Sequence, residues 1–266
     1  MMKPRIVLKV GSSNISNGEM IDEGKLARIA GLIDKLRARY DVLLVSSGAV
    51  ASGYTRLKID KSLLPNKQAL ASIGQPLLMQ TYRTRFQEYG IEVSQILLTK
   101  NNFDSRTQTK CAKDCIDTLL AHNILPIINE NDSTALTEFV GDNDRLSAYV
   151  AHYFDAQLLV ILSDIDGYFD KNPALDSNAK IRPQVERIDP AELEAPHTPN
   201  AKFATGGIVT KLMAAHFLLE RNRAMFLTNG NKLEVLHALL LEGKQTNGTL
   251  FGSLPVAIEQ QSVQNS

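Results

Sequence analysis

Arg5-Ile6-Val7-Leu8-Lys9-Val10-Gly11-Ser12-Ser13 is the stretch that decides the fold. Ile6, Val7 and Leu8 succeed one another without polar alternation, so both faces of the strand they predict must be covered. Leu26, Ile29, Ala30, Ile33 and Leu36 then recur at helical spacing up to Tyr40, as in a helix laid on that strand. The same unit repeats along the chain. Strands are expected at Val42–Ser46, Val93–Leu98, Leu125–Asn129, Leu158–Leu162 and Ala224–Thr228. Helices are expected at about Asn66–Tyr89, Arg106–His122, Leu146–Phe154, Ile208–Arg221 and Lys232–Leu241. Apolar strands alternating with helices predict a three-layer α/β/α sandwich with a mainly parallel central sheet. In such sheets ligands sit outside the carboxyl ends of the strands, so the residues after each strand are the informative ones.

The chain's 266 residues show no internal repeat and no break that would separate two domains. One domain is expected over residues 1–258, with a polar, disordered tail over 259–266. From Phe169 to Gly207 the rhythm fails, and prolines, Asn and Asp suggest an inserted hairpin and a mobile loop. The 29 basic and 29 acidic residues balance, so no global field draws the protein to nucleic acid or an anionic membrane. No apolar run approaches the roughly 20 residues of a membrane helix, and Met1-Met2-Lys3-Pro4-Arg5 is no export signal. Cys111 and Cys115, four apart on one helix face, form no metal or redox motif. A cytoplasmic protein is expected.

Several phosphate motifs are excluded. Gly48 and Gly53 have P-loop spacing, but Tyr54 stands where that loop needs lysine. No dinucleotide fingerprint comes after the first strand, and the protein-kinase signatures are absent. The strand ends carry a different set of residues. Lys9 lies inside an apolar strand and must snorkel or meet an anion; Gly11 and Ser12 then offer backbone N–H groups to a phosphate. Ser46-Ser47-Gly48-Ala49 is a hydroxyl-rich turn opening a helix, suited to an anion or to simple capping. Asn129-Glu130-Asn131-Asp132 and Gly141-Asp142-Asn143-Asp144 are either Asx turns or a site for a group bearing both ammonium and carboxylate. Ser163-Asp164-Ile165-Asp166-Gly167 suits a turn touching a nucleotide, or a metal. Thr205-Gly206-Gly207-Ile208-Val209-Thr210-Lys211 is a Gly-rich loop entering a helix, with a lysine whose position near a helix N-terminus calls for an anion.

In this order and spacing, these motifs resemble the amino acid kinase family over about residues 5–252. Within it, the resemblance is to members that phosphorylate the side-chain carboxylate of glutamate in the first step of proline biosynthesis. It implies that ATP is bound by Lys9, Gly11, Ser12, Ser163, Asp164 and the loop Thr205, Gly206, Gly207, Ile208, Val209, Thr210 and Lys211. Ser47, Gly48, Asp132 and Asn143 would bind glutamate, and Asp144 would orient the catalytic Lys9 and Lys211. It also implies Mg²⁺ with the nucleotide, held mostly by phosphate oxygens, with Asp144 or Asp164 only nearby. A homo-oligomer, feedback inhibition by proline, and passage of the product to glutamyl phosphate reductase are implied too. Many relatives carry a C-terminal PUA domain that this sequence does not contain.

A carboxylate acceptor, with a pKa of about 4.3, is already ionised at neutral pH and needs no general base. The scattered His122, His152, His197, His216 and His237 are then structural. The alternatives are a family member acting on acetylglutamate, aspartate or a nucleotide monophosphate, a non-catalytic amino-acid sensor, and a nucleotide-binding structural module.

Overall fold

A computed structural model describes residues 3–17, 20–135, 143–193 and 207–263. Its strands are β1 (Arg5–Val10), β2 (Asp41–Ser46), β3 (Val93–Leu98), β4 (Leu125–Glu130), β5 (Leu158–Ser163), β6 (Gln184–Val185), β7 (Ala224–Asn229) and β8 (Thr249–Phe251). Its helices are α1 (Glu23–Arg37), α2 (Ala49–Tyr54), α3 (Leu64–Gln87), α4 (Lys100–Asp104), α5 (Arg106–Ala121), α6 (Asn143–Tyr153), α7 (Pro190–Leu193), α8 (Ile208–Leu219), α9 (Leu233–Glu242) and α10 (Val256–Val263).

The strands form one sheet in the order β3-β4-β2-β1-β5-β7-β8-β6, parallel throughout except between β7 and β8. Each face carries its own apolar layer. Ile6, Leu8 and Val10 of β1 pack with Leu26, Ile29 and Ile33 of α1 and with Tyr82 and Phe86 of α3. Val7 points the other way and joins Leu146 and Val150 of α6 and Leu212 and Leu218 of α8. Side chains alternate along a strand, so Lys9 shares the face of Val7 and is directed into the α6–α8 layer. The α/β/α architecture expected from the apolar strands is the observed one.

The chain leaves β1 toward β2 on one side and later returns to β5 on the other. The crevice between the carboxyl ends of these strands is therefore the switch point where such sheets bind ligands. Several turns close there. Gly11 N donates to Leu162 O at 3.4 Å, Ser47 N to Val10 O at 3.1 Å, and Gly230 N to Ser163 O at 2.8 Å.

The irregular stretch after β5 has the expected hairpin, with an antiparallel bridge between Phe169 and Ile181, and adds the short strand β6, which pairs with β8; its 194–206 portion lies outside the described residues. Two features depart from expectation. The polar tail begins as helix, since α10 runs to Val263 and Arg39 Nη1 holds the Gln261 carbonyl at 2.9 Å. Helix α6 starts at Asn143, three residues before the apolar period suggests, because its first turn is filled by buried polar groups.

Candidate functional site

The centre of the site is a carboxylate between two lysines. Lys9 Nζ lies 2.5 Å from Asp144 Oδ1, and Lys211 Nζ lies 3.0 Å from Asp144 Oδ2. Thr210 Oγ1 donates to the same Oδ2 at 2.9 Å. Each side chain arrives from a different element: Lys9 from mid-β1, Asp144 from the first turn of α6, Lys211 from the first turn of α8. All three residues are buried. Burial alone would raise the Asp144 carboxyl, but the two ammonium groups outweigh it and hold the pKa at about 2. The helix N-terminus of α6 favours the same ionised form. Two ammonium groups share this one carboxylate at the head of the crevice. The anion that Lys211 calls for is thus supplied within the chain.

Around this centre lie the strand-end turns. Gly11 is extended, with φ −72°. A Cβ there would stand 3.6 Å from Lys9 Nζ, so glycine keeps open the space over the ammonium. Ser12 begins a turn of 3-10 helix over Ser12–Asn14, in which Ser12 and Ser13 are exposed and Asn14 is buried. Ser163 Oγ donates to Asp164 Oδ1 at 3.0 Å, and Asp164 is exposed at the end of β5. Gly207, Ile208, Val209 and Thr210 form the entrance to α8 and are half-buried. Thr205 and Gly206, like Gly141 and Asp142, lie outside the described residues.

The second half of the site is built on amides. Asn143 Nδ2 donates to Ser46 O at 2.8 Å, and lies 3.0 Å from both Ser47 Oγ and Asn129 Oδ1. The neighbouring serines divide their tasks: Ser46 Oγ pairs with the buried Tyr82 hydroxyl at 2.8 Å, while Ser47 faces Asn143. Gly48 has φ +107°, and a Cβ there would meet Ile15 Cδ1 at 2.7 Å. That turn needs glycine to aim Ser47 before α2 begins. Asp132 sits on the turn after β4, which is fastened to α3 by Gln68 Nε2 to Ala135 O at 3.3 Å and by the Ser72–Ser133 hydroxyl pair at 2.7 Å. Burial pushes the Asp132 carboxyl up to about 6, against the pull of nearby Lys67. A carboxylate so placed gains from a cationic ligand.

Two residues of the site are not among those the sequence motifs single out: Gln75, and Asn129, which stands in a motif without a role of its own. Gln75 Oε1 accepts from Asn129 Nδ2 at 2.9 Å, and Gln75 Nε2 donates to Gln95 Oε1 at 2.9 Å. The signal for Gln75 is its position. Ala71, Gln75, Leu78 and Tyr82 share the buried face of α3, so Gln75 is a polar residue at an apolar position.

The amino acid kinase family model matches residues 4–229. The chain is 61% identical to a glutamate 5-kinase of Helicobacter hepaticus, covering 94% of this chain and 96% of that protein. It is 54% identical to a glutamate 5-kinase of Leishmania donovani, covering 94% and 95%. Among solved structures, it resembles the UMP kinase of Ureaplasma parvum with a TM-score of 0.66 at 17% identity, covering 95% of this chain and all of that one. The isopentenyl phosphate kinase of T. acidophilum aligns with a TM-score of 0.63 at 13% identity, covering 92% and 98%; at such identities the likeness concerns the fold. With a match over most of its length and close relatives spanning nearly all of it, the chain belongs to the amino acid kinase family.

Proposed function

We propose that this protein transfers the γ-phosphoryl group of ATP to the side-chain carboxylate of L-glutamate, forming glutamyl 5-phosphate as the first step of proline biosynthesis. The observation that carries the reading is the buried Lys9–Asp144–Lys211 array beside a separate amide and carboxylate site, in a chain 61% identical to a glutamate 5-kinase. The kinase unit is taken as residues 1–258.

In the reaction one glutamate carboxylate oxygen bonds to the γ-phosphorus while the bridging P–O bond to the β-phosphate breaks and ADP leaves. No proton need move, because acceptor and donor are already ionised. The obstacle is repulsion between anions, and catalysis is mainly positioning and charge neutralisation. Lys9 and Lys211 supply the cations, and Asp144 fixes both ammonium groups so that little reorganisation is needed. Gly11, Ser12, Ser163, Asp164 and the loop residues Gly207 to Lys211 serve the nucleotide side; Ser47, Gly48, Asp132 and Asn143 serve the acceptor side. Mg²⁺ would enter with the nucleotide and neutralise charge on its phosphate oxygens. Feedback by proline at or beside the acceptor site, a homo-oligomer, a cytoplasmic location and transfer of the acyl phosphate to glutamyl phosphate reductase belong to the same proposal. No described helix is long and apolar enough to cross a membrane.

Hydroxylamine converts an acyl phosphate to a hydroxamate. Glutamate-dependent ADP release with matching γ-glutamyl hydroxamate is the expected result; ADP release without hydroxamate, or hydroxamate only with another acceptor, overturns the assignment.

A further inference from the structure

Asn143 has two amide hydrogens, and the fold uses both on Ser46 O, Ser47 Oγ and Asn129 Oδ1. The Ser46 carbonyl can only accept, so the Nδ2 end of Asn143 must face it. Asn129 is fixed by the opposite kind of group. Its Oδ1 accepts the backbone N–H of Glu130 at 2.9 Å, which turns its Nδ2 toward Gln75 Oε1. Gln75 passes its own Nε2 to Gln95 on the outer strand β3. The row of amides therefore has a single polarity, and the atom left over at its inner end is Asn143 Oδ1. Among the described residues nothing donates to it. A carbonyl oxygen there suits an ammonium group and not a carboxylate.

Asn129 is 2% exposed and Gln75 8%. Without Gln75, Asn129 Nδ2 would be a buried donor with no partner, a condition that drives side chains to rotate. We propose that Gln75 is a positioning residue for acceptor selectivity: through Asn129 it keeps the Asn143 carbonyl turned to the α-ammonium group of the acceptor. The inference rests on the proposed glutamate acceptor and adds a residue that supports, from outside the site, the polarity that the Ser46 carbonyl and the Glu130 N–H impose.

The test compares Gln75→Met, Gln75→Glu and Gln95→Ala with the wild type. It reads glutamate KM, kcat, thermal midpoint, and the inhibition constant of glutarate, which has both carboxylates and no ammonium. For Gln75→Met, glutamate KM is expected to rise about tenfold, the loss of one hydrogen bond to a charged group. Both kcat and the glutarate constant should stay within about twofold, since neither depends on that bond. Gln75→Glu should stay near wild type, because a buried carboxyl favours its protonated form and then offers the same one acceptor and one donor. An unchanged glutamate KM in folded Gln75→Met overturns the inference, and so does a parallel rise for glutarate. If that variant does not fold, exposed Gln95→Ala decides. A glutamate-selective rise of about two- to threefold supports the role, as expected for a weakened neighbour in the row; no rise, or one shared by glutarate, overturns it. A wild-type protein that makes no hydroxamate from glutamate sinks the acceptor assignment itself, whereas failure of the variants with an active wild type sinks the inference alone.

Discussion

Lys9 Nζ and Asp144 Oδ1 lie 2.5 Å apart, with neither side chain more than a tenth exposed. Removing one partner of a buried pair strands the other's charge, at a cost of about 3–5 kcal/mol. Asp144→Asn leaves two buried ammonium groups facing an amide. Stability should fall by about 3 kcal/mol in urea unfolding, and kcat by about 100-fold or more as the lysines lose their fixed positions. A folded Asp144→Asn enzyme with wild-type turnover would show that the pair is structural only.

Lys9→Ala and Lys211→Ala each remove a cation directed at the transferred group. Each should lower kcat by about 10²–10³-fold, with a much smaller rise in glutamate KM. Lys211→Arg should rescue poorly, because a planar fork does not replace a compact ammonium between Asp144 and the ligand. Steady-state kinetics at saturating ATP make the comparison; near-normal turnover in either alanine variant contradicts the assignment.

Asp132 gives the acceptor site a pH dependence. Its carboxyl is raised to about 6 by burial, with Lys67 opposing. Below that pH the group is neutral and offers no counter-charge to an ammonium, so glutamate KM should climb as pH falls through about 6. Asp132→Asn should raise KM at a pH of about 7.5 and flatten the profile. The sign for folding is opposite: a raised carboxyl contributes stability that is full below its unfolded pKa of about 3.9 and lost as pH rises through about 6. Asp132→Asn should therefore stabilise the unliganded protein at that same mildly alkaline pH. A KM that tracks pH identically in wild type and variant excludes Asp132 as the titrating group.

The α2–α3 crossing is set by two glycines. A Cβ on Gly74 would stand 1.8 Å from Ala49 O, and one on Gly53 would stand 1.9 Å from Leu70 O. Backbone against backbone leaves no rotamer to relieve the clash, so Gly74→Ala must push the helices apart. The expected cost is about 3 kcal/mol or more, at the upper end of overpacking. Glutamate KM should rise more than ATP KM, because Ser47 lies just before α2 and Gln75 just after Gly74. Equal changes in both constants would argue that α3 does not support the acceptor side.

Much of this is legible in the chain. Ile6-Val7-Leu8 and Leu158–Leu162 announce buried strands because neither face can be left to water. Lys9 stands out in such a strand because an ammonium there needs an anion. Two kinds of feature are less legible. Helix α4 is only Lys100–Asp104, held by a Thr99–Asn102 capping box, and β6 has two residues; elements that short carry no period. Gln75 is hidden for another reason, since its neighbours Ala71, Leu78 and Tyr82 make the face read as plain core.

Sequence by itself determined the element types, the parallel sheet and the polar residues waiting at the strand ends, because these arise from local periodicity and from the cost of burying unpaired charge. Tertiary structure alone decided which of them meet. Asp144 is shared by lysines from β1 and α8, and Asn143 meets an asparagine of β4 that a glutamine on α3 holds. Ion pairs and hydrogen bonds depend on distances through space, and only the order of strands in the folded sheet brings those remote residues within about 3 Å of one another.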